Sequence, residues 1–199
     1  MTLLEISPGS FRETSIPVLE TERLALRAPR LEDAKTVAAL ANDRRIAENT
    51  ARIPHPYKVS DAEGFITGVN KTGGEAAFLI TLHDDTIIGA CGLMNQDGTP
   101  EIGYWLGAQH WGKGYATEAV HAVIDYAFTD LAHDALQAGA RVTNPASRRV
   151  LEKCGFQWTG VGLYRIRAIN SSAPIDRFRL ERRIWSALKE WGRAKHRVS

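Results

Sequence analysis

The chain has 199 residues, a length that favours a single domain with a sizeable core. Apolar residues make up 44% and charged residues 24%, which is typical of a folded globular domain and excludes a disordered chain. The 25 basic and 23 acidic residues leave a net charge of +2. This balance predicts neither a nucleic-acid partner nor a membrane-surface partner.

The cysteines, the histidines and the chain start argue against several other classes. Cys91 and Cys154 lie far apart and the six histidines form no metal-binding motif, so we expect neither a disulfide framework nor a metal site. The N-terminus lacks the basic start of a signal peptide, and no run approaches the ~20 apolar residues of a membrane span. These features favour a cytoplasmic protein.

The first half of the chain predicts one strand and two helices. Polar and apolar residues alternate over 23–27, as in a half-buried strand, and apolar residues at helical spacing over 31–45 predict an amphipathic helix. Two prolines make 49–58 a loop. Ser60 and Glu63 fit a capping box that begins the second helix.

The second half predicts a sheet with two further helices. Strands are expected at 77–82, 86–94, 101–106 and 136–142, helices at 116–131 and 144–154, and a closing hairpin over 161–184. Asn144 fits a helix N-cap and Gly155 a C-terminal stop. This order predicts a mixed α/β sheet in one domain over 21–188, between an N-terminal arm at 1–20 and a solvated basic tail at 189–199.

The segment from Gly107 to Thr117 carries the strongest functional signal. It fits a Walker loop until Gly114 replaces the hydroxyl that would bind magnesium, and the dinucleotide fingerprint fails at Thr117, where its third glycine belongs. Gln109, Gly112 and Gly114 satisfy the pattern [QR]xxGx[GA], whose backbone amides and following helix can hold a pyrophosphate without a metal. The alternative is an ordinary glycine-rich turn.

Several ordered motifs resemble the GNAT N-acetyltransferases. They are Glu101-Ile102-Gly103-Tyr104-Trp105-Leu106, the run from Gln109 to Ala119, Asn144-Pro145-Ala146-Ser147 and Glu152-Lys153-Cys154-Gly155-Phe156. The segments 21–27 and 53–57 narrow the resemblance to the branch that acetylates the N-termini of ribosomal proteins. The resemblance covers 21–188 and implies a single acyl-CoA N-acyltransferase domain.

The resemblance implies acetyl-CoA as cosubstrate and no metal. Its pyrophosphate is expected on the glycine-rich loop, and its pantetheine arm between separating strands at 104–106 and 136–142. Asn144 is expected to bind the pantetheine arm, with helix capping as the alternative. The implied cofactor-binding residues are Tyr104, Trp105, Leu106, Gln109, Gly112, Lys113, Gly114, Tyr115, Ala116, Thr117, Asn144 and Ser147.

The resemblance also suggests catalytic residues. Many family members carry a Tyr that acts as the general acid, four residues before the glycine of the terminal Gly-Phe pair. In this chain that position is Leu151. Ser147 is the implied substitute acid, with an ordinary first-turn residue as the alternative. Glu101 is a candidate base, the alternative being an exposed strand-end carboxylate. An α-amine with a pKa near ~8 needs little help in losing its proton.

The acceptor is predicted to be a primary amine, in first place the N-terminal α-amine of a protein such as a ribosomal protein. A small amine such as an antibiotic or polyamine is the alternative acceptor, and a non-catalytic acyl-CoA-binding domain is the alternative function. The acceptor is expected to enter between the loop 49–58 and the hairpin 164–176. Basic residues there favour a neutral or acidic peptide: Arg52, His55, Lys58, Arg165 and Arg167.

Overall fold

The computed structural model describes residues 16–69, 76–96 and 98–196. Within these residues one eight-stranded mixed sheet has the strand order β1-β2-β3-β4-β5-β6-β8-β7. The strands are β1 (Leu19–Glu20), β2 (Leu24–Arg27), β3 (Ala76–Leu82), β4 (Ile87–Gln96), β5 (Thr99–Leu106), β6 (Ala135–Arg141), β7 (Gln157–Ile166) and β8 (Ser171–Glu181). The helices are α1 (Ala34–Ala41), α2 (Arg44–Ala47), α3 (Val59–Val69), α4 (Tyr115–Thr129), α5 (Pro145–Lys153) and α6 (Arg182–His196). The predicted mixed α/β sheet in a single domain is confirmed.

Hydrophobic clusters cover both faces of the sheet. Phe78 and Ile80 of β3 point to one face, where they pack with α4 and α5, whereas Leu79 points to the other face and packs with α1 and α3. The apolar stripe of α4 lies in the larger cluster. The sheet therefore lies between two layers of helices.

The sheet opens between β5 and β6, its only parallel pair among the described strands. Strand β5 pairs with β4 along its whole length, but its register with β6 covers only Glu101 with Gln137 and Ile102 with Ala138. Residues 103–106 of β5 therefore have no strand partner on that side. The backbone groups on this free edge can pair with an extended ligand.

The predicted helix over 31–45 is interrupted. Leu31–Asp33 form a 3-10 turn, and a break at Asn42 and Asp43 separates α1 from α2. The Asp43 carboxylate accepts a hydrogen bond from the Arg45 amide at 2.8 Å, and Asn42 Oδ1 accepts one from the Tyr57 amide at 2.9 Å. Short polar side chains of this kind compete with the helical backbone and favour caps, which the apolar spacing did not reveal.

The predicted capping box lies two residues too late. Helix α3 begins at Val59, and the carboxylate that reaches back is that of Asp61, which accepts from the Lys58 amide at 2.9 Å. Ser60 and Glu63 are therefore helical residues within α3. The box keeps its backbone-directed carboxylate but has no Ser at the N-cap.

The two ends of the chain contain more regular structure than the sequence indicated. Residues 1–15 of the predicted arm lie outside the described residues, whereas Leu19–Glu20 form β1 and pair with β2. The closing hairpin turns at Arg167–Ile169 and Asn170, earlier than expected, and β8 ends at Glu181. The helix α6 then takes in much of the segment that the sequence suggested was a solvated tail.

Candidate active site

The glycine-rich loop between β5 and α4 bends at two glycines. Gly112 has φ +75° and Gly114 has φ +84°, a left-handed conformation that other residues rarely adopt. A Cβ atom at Gly112 would meet nothing within 4 Å, so the loop faces open space at this point. Both glycines are therefore required by the backbone, and a ligand can approach Gly112 closely.

The N-terminus of α4 lies at the end of this loop. Gly114 is the N-cap, and no side chain among the described residues caps this helix. The amides of Tyr115, Ala116 and Thr117 belong to the first turn and have no helical acceptor, and the helix dipole places partial positive charge there. Lys113 is exposed directly before the N-cap. This arrangement suits an anionic group such as a pyrophosphate.

Three other predicted donor-binding side chains are turned to other contacts. Trp105 packs beside α1 and α3, and Leu106 is buried in the large cluster. The Leu106 carbonyl accepts a hydrogen bond from Trp111 Nε1 at 2.8 Å, and the Gln109 amide lies against Gly107. The Leu106 carbonyl is therefore already engaged, and donor binding by these three residues remains a prediction.

Asn144 caps helix α5. Its Oδ1 atom accepts a hydrogen bond from the Ser147 amide at 3.1 Å, and Pro145 occupies the first helical position, as expected for a capped helix. The oxygen of the side chain is thus used locally. The amide nitrogen remains a donor that could bind a second group, so capping and ligand binding are compatible in this residue.

Ser147 and Tyr104 form a pair of hydroxyls at the β5–β6 opening. Tyr104 Oη lies 2.8 Å from Ser147 Oγ and 3.1 Å from the Ser147 carbonyl oxygen. Burial raises the pKa of Tyr104, against the smaller opposing effect of the Ser147 hydrogen bond, so the phenol stays protonated at neutral pH. Tyr104 has a single proton to donate. When that proton goes to the Ser147 carbonyl, Ser147 Oγ donates to Tyr104 Oη, and when it goes to Oγ, the Ser147 proton is free to be donated to a third atom.

Glu101 lies near the start of the opening, at the last rungs that β5 and β6 share. Its carboxylate reaches over Gly139, where an added Cβ atom would stand 3.6 Å from Oε1. Burial raises the pKa of Glu101, while Arg52 and Arg177 oppose that rise. A half-buried carboxylate with a raised pKa is a reasonable proton acceptor for an amine.

A cavity of about 670 Å³ adjoins these groups. Its walls include residues 49–53 of the loop before α3, residues of β4 and β5, and residues 163–166 of β7. Glu101, Tyr104 and Ser147 all line it. The Arg167 amide donates to the Ala51 carbonyl at 3.1 Å and ties the hairpin to the loop. The cavity therefore lies where the sequence predicted an acceptor to enter.

The cavity carries an excess of positive charge. Arg52, Arg141 and Arg165 line it, and Glu101 is the single carboxylate among its described lining residues. Arg141 donates through Nη1 to the Glu48 carbonyl at 2.8 Å, and Arg165 donates to Asn170 Oδ1 at 2.5 Å. Because these acceptors are neutral, neither contact offsets the positive charge of the guanidinium group.

Sequence reasoning missed three features of this site. The contact between Tyr104 and Ser147 joins residues 43 apart in the chain, and Arg141 and Arg177 approach the cavity only through strand register. The motif Glu101–Leu106 contained Tyr104, but spacing alone gave no partner for its hydroxyl. Arg141 is the last residue of β6, and a charged residue at the end of a mostly apolar strand was the available signal.

No group of three or more His, Cys, Asp or Glu in the described part of the chain could hold a metal ion. No helix formed by those residues is both long enough and apolar enough to cross a membrane.

Comparisons with known proteins identify the family of this chain. Residues 23–157 match the family model described as an acetyltransferase (GNAT) domain. The uncharacterized N-acetyltransferase p20 of Bacillus licheniformis is 36% identical over 150 residues, which cover 72% of this chain and 84% of p20.

Two solved structures from Vibrio cholerae share the fold. The spermidine N-acetyltransferase in complex with CoA and spermine has a TM-score of 0.72 at 22% identity, covering 83% of this chain and 99% of that one. A proposed ribosomal-protein-serine acetyltransferase has a TM-score of 0.68 at 20% identity, covering 84% and 99%. The family match and the p20 relative show that this chain belongs to the GNAT family and is an acetyl-CoA-dependent N-acetyltransferase.

Proposed function

We propose that the protein transfers an acetyl group from acetyl-CoA to the N-terminal α-amine of a peptide or protein, with ribosomal proteins as the first candidates. The observation that carries this proposal is the charge of the cavity, where three arginines face one carboxylate. A polyamine or an aminoglycoside carries several ammonium groups and would meet like charge. A peptide N-terminus brings one amine, a neutral backbone and, in the best case, an acidic side chain.

On the donor side, the loop Gln109–Thr117 is proposed to hold the pyrophosphate, and the β5–β6 opening the pantetheine arm. The open space at Gly112 and the uncapped amides of α4 support the first assignment. The unpaired edge of β5 at residues 103–106 and the free amide nitrogen of Asn144 support the second. Both assignments fit a long, flexible donor with an anionic end.

Acetyl-CoA, when bound, supplies an acetyl group on a thioester. Glu101 is proposed to accept a proton from the incoming ammonium, directly or through a water molecule. The neutral amine then attacks the acetyl carbonyl carbon, and as the carbon–nitrogen bond forms and the carbon–sulfur bond breaks, CoA leaves as its thiolate. Ser147 is proposed to donate a hydrogen bond to that sulfur, and the thiolate takes its proton from water. Serine is a weak acid by pKa, so its contribution is stabilisation of the developing negative charge. An α-amine has a pKa of ~8 against ~10.4 for lysine, so a larger fraction of it is already neutral and the base needs to remove a proton less often.

Competition between acceptors tests the proposal. A set of short peptides with neutral or acidic residues behind a free N-terminus is compared with spermidine and an aminoglycoside, and thiol release gives kcat/KM for each. We expect the peptides to have the higher values. A value for spermidine or the aminoglycoside that equals or exceeds that of every peptide would contradict the peptide assignment.

A charge variant sharpens the same test. Arg52 lines the cavity and its side chain is exposed, so Arg52→Glu should lower kcat/KM for acidic peptides and raise it for spermidine. Arg183→Glu is the control, because Arg183 lies on α6 with 80% of its side chain exposed and does not line the cavity. Equal effects of the two variants on both acceptors would show that the overall charge of the protein, and not the cavity, sets the preference.

A further inference from the structure

A cluster of contacts joins the start of the sheet to the first turn of α4. The Glu118 carboxylate accepts hydrogen bonds from Thr21 Oγ1 at 2.7 Å, from the Arg23 amide at 2.8 Å and from Arg23 Nε at 2.7 Å. An ion pair of 2.6 Å to Arg23 Nη2 completes the set. Thr21 and Arg23 come from the segment just before β2, more than 90 residues away in sequence.

The same guanidinium holds the glycine-rich loop. Arg23 Nη1 donates to the Lys113 carbonyl at 3.0 Å, and its Cζ lies 4.8 Å from the centre of the Tyr115 ring. A Cβ atom at Gly114 would stand 3.3 Å from Arg23 Nη2. Arg23 thus touches three consecutive residues at the point where the loop becomes the helix.

The Arg23 contacts fix the backbone where the loop becomes the helix. By accepting from Arg23, the Lys113 carbonyl is turned toward β2, and since a peptide unit is planar, this orientation also fixes the amide of Gly114. Burial would raise the pKa of Glu118, but the hydrogen bonds from Thr21 and Arg23 outweigh it and hold the pKa below its usual value. Glu118 therefore stays charged, and the Arg23 contacts persist, throughout the neutral range.

We propose that Thr21, Arg23 and Glu118 form a positioning unit that pre-organises the loop Gln109–Thr117 for the pyrophosphate of acetyl-CoA. This inference rests on the donor site described under the proposed function. Its physical basis is that a glycine-rich loop loses much conformational freedom on ordering, and contacts that order it before binding remove that cost from the affinity. The unit acts on donor affinity and leaves the chemistry at Glu101 and Ser147 unchanged.

A second ion pair, at the end of the strand that follows Arg23, provides a matched control. Arg27, the last residue of β2, donates to both carboxylate oxygens of Asp33, at 2.8 and 2.9 Å. This pair is more buried than that of Arg23, with 18% of the Arg27 side chain exposed against 45% of the Arg23 side chain. It contacts the 3-10 turn before α1 and not the loop, so its loss should lower the stability of the fold without changing the donor site.

The test measures the Kd of CoA by calorimetry, and the melting temperature, for Arg23→Ala, Glu118→Gln, Thr21→Val and Arg27→Ala. Loss of a charge-assisted hydrogen bond that orders the loop should raise the Kd of CoA about tenfold in Arg23→Ala and Glu118→Gln, and less in Thr21→Val. Arg27→Ala should lower the melting temperature at least as much and leave the Kd of CoA within about twofold. With a peptide acceptor, KM for acetyl-CoA should rise while kcat at saturation is kept.

The variants separate the proposal from its alternatives. Glu118→Gln leaves the Arg23 charge in place. If CoA affinity is weakened in Arg23→Ala but normal in Glu118→Gln, Arg23 binds the phosphates directly and the positioning role is overturned. Equal Kd values in wild type and both variants would also overturn it. A wild-type protein that does not bind CoA would instead contradict the donor site itself. In the double variant Arg23→Ala/Glu118→Gln we expect the same Kd as in either single variant, because the residues act as one unit.

Discussion

The hydroxyl pair at the β5–β6 opening gives a quantitative prediction for the chemical step. Removing the Ser147 hydroxyl by Ser147→Ala should lower kcat, because a hydrogen bond to a charged sulfur exists only as the thiolate departs. Hydrogen bonds to charged groups contribute about 1.5–3 kcal/mol, which corresponds to a fall in kcat of about 10- to 150-fold. KM for acetyl-CoA should change little.

Tyr104→Phe tests whether Tyr104 acts through Ser147. Tyr104 Oη lies 2.8 Å from Ser147 Oγ, and its loss removes one neutral hydrogen bond, worth about 1 kcal/mol or a fivefold fall in kcat. In the Ser147→Ala background the same change should have no effect on kcat, because the group that it orients is already gone. The coupling energy between the two positions should therefore equal the whole effect of Tyr104→Phe.

The assay is single-turnover thiol release with a saturating peptide acceptor, accompanied by melting curves of all four proteins. Because burial raises the pKa of Tyr104, the phenol is protonated over the whole range, and the ratio of wild-type to Tyr104→Phe rates should not depend on pH. An unchanged kcat in Ser147→Ala would reduce Ser147 to a helical residue. An undiminished effect of Tyr104→Phe in the Ser147→Ala background would show that Tyr104 reaches the sulfur independently.

Two further changes test the donor loop and the base. Gly112→Val should abolish the rise in melting temperature that CoA causes. The control is Gly98→Val, at a φ of +80° with equally open space, which should lower the melting temperature but keep the CoA shift. Loss of the shift in both variants would mean that backbone strain and not the site is responsible. Glu101→Gln should move the pH profile of the rate to higher pH, because without the base only acceptor amine that is already neutral can react. A profile that stays in place would mean that solvent, and not Glu101, takes the proton from the amine. Since burial raises the pKa of Glu101, its ionised form costs stability above that pKa, so the melting temperature of Glu101→Gln at neutral pH should be unchanged or higher.

The parts of the fold that local pattern determines were predicted best. The apolar stripe of α4 and the Asn144, Pro145 and Gly155 signals of α5 are properties of neighbouring residues, and both helices are present within a residue of their expected starts. The predicted strand at the end of the chain fails from Arg182 onward. Polar and apolar residues alternate up to Ile184, but Ile184 and Trp185 pack on the core from a helix.

The basic segment after the hairpin, which the charge run predicted to be a solvated tail, contacts α4. Trp185 Nε1 donates to Asp125 Oδ1 at 2.7 Å, and Lys189, one helical turn later, forms an ion pair with the same carboxylate. Asp125 belongs to α4, so the partner of this segment lies some 60 residues earlier. A charge run is read as solvated by default, and only the three-dimensional neighbour of α6 reveals its docking.

The site, like the fold, was predicted best where it depends on residues that are neighbours in the sequence. The glycine-rich loop is contiguous, its backbone needs are visible in the residue types, and Gly112 and Gly114 adopt the left-handed conformation that glycine permits. The contacts that define the rest of the site depend on pairing between distant segments. Glu101 faces Gly139 only because β5 and β6 share two rungs, and Arg23 meets Lys113 only because β2 passes beside α4.

Leu151 shows how the sheet can supply what a helix lacks. At the helical position where many family members carry a tyrosine acid, this chain has a leucine that is fully buried in the core. Ser147 lies one turn earlier on the same face of α5, since residues four apart share a helix face. Ser147 itself has no phenol. Tyr104 of β5 supplies one, and its Oη lies 2.8 Å from Ser147 Oγ. A tyrosine hydroxyl is thus present beside the opening after all, contributed by a strand, and its raised pKa suits it to orient the Ser147 proton rather than to give up its own.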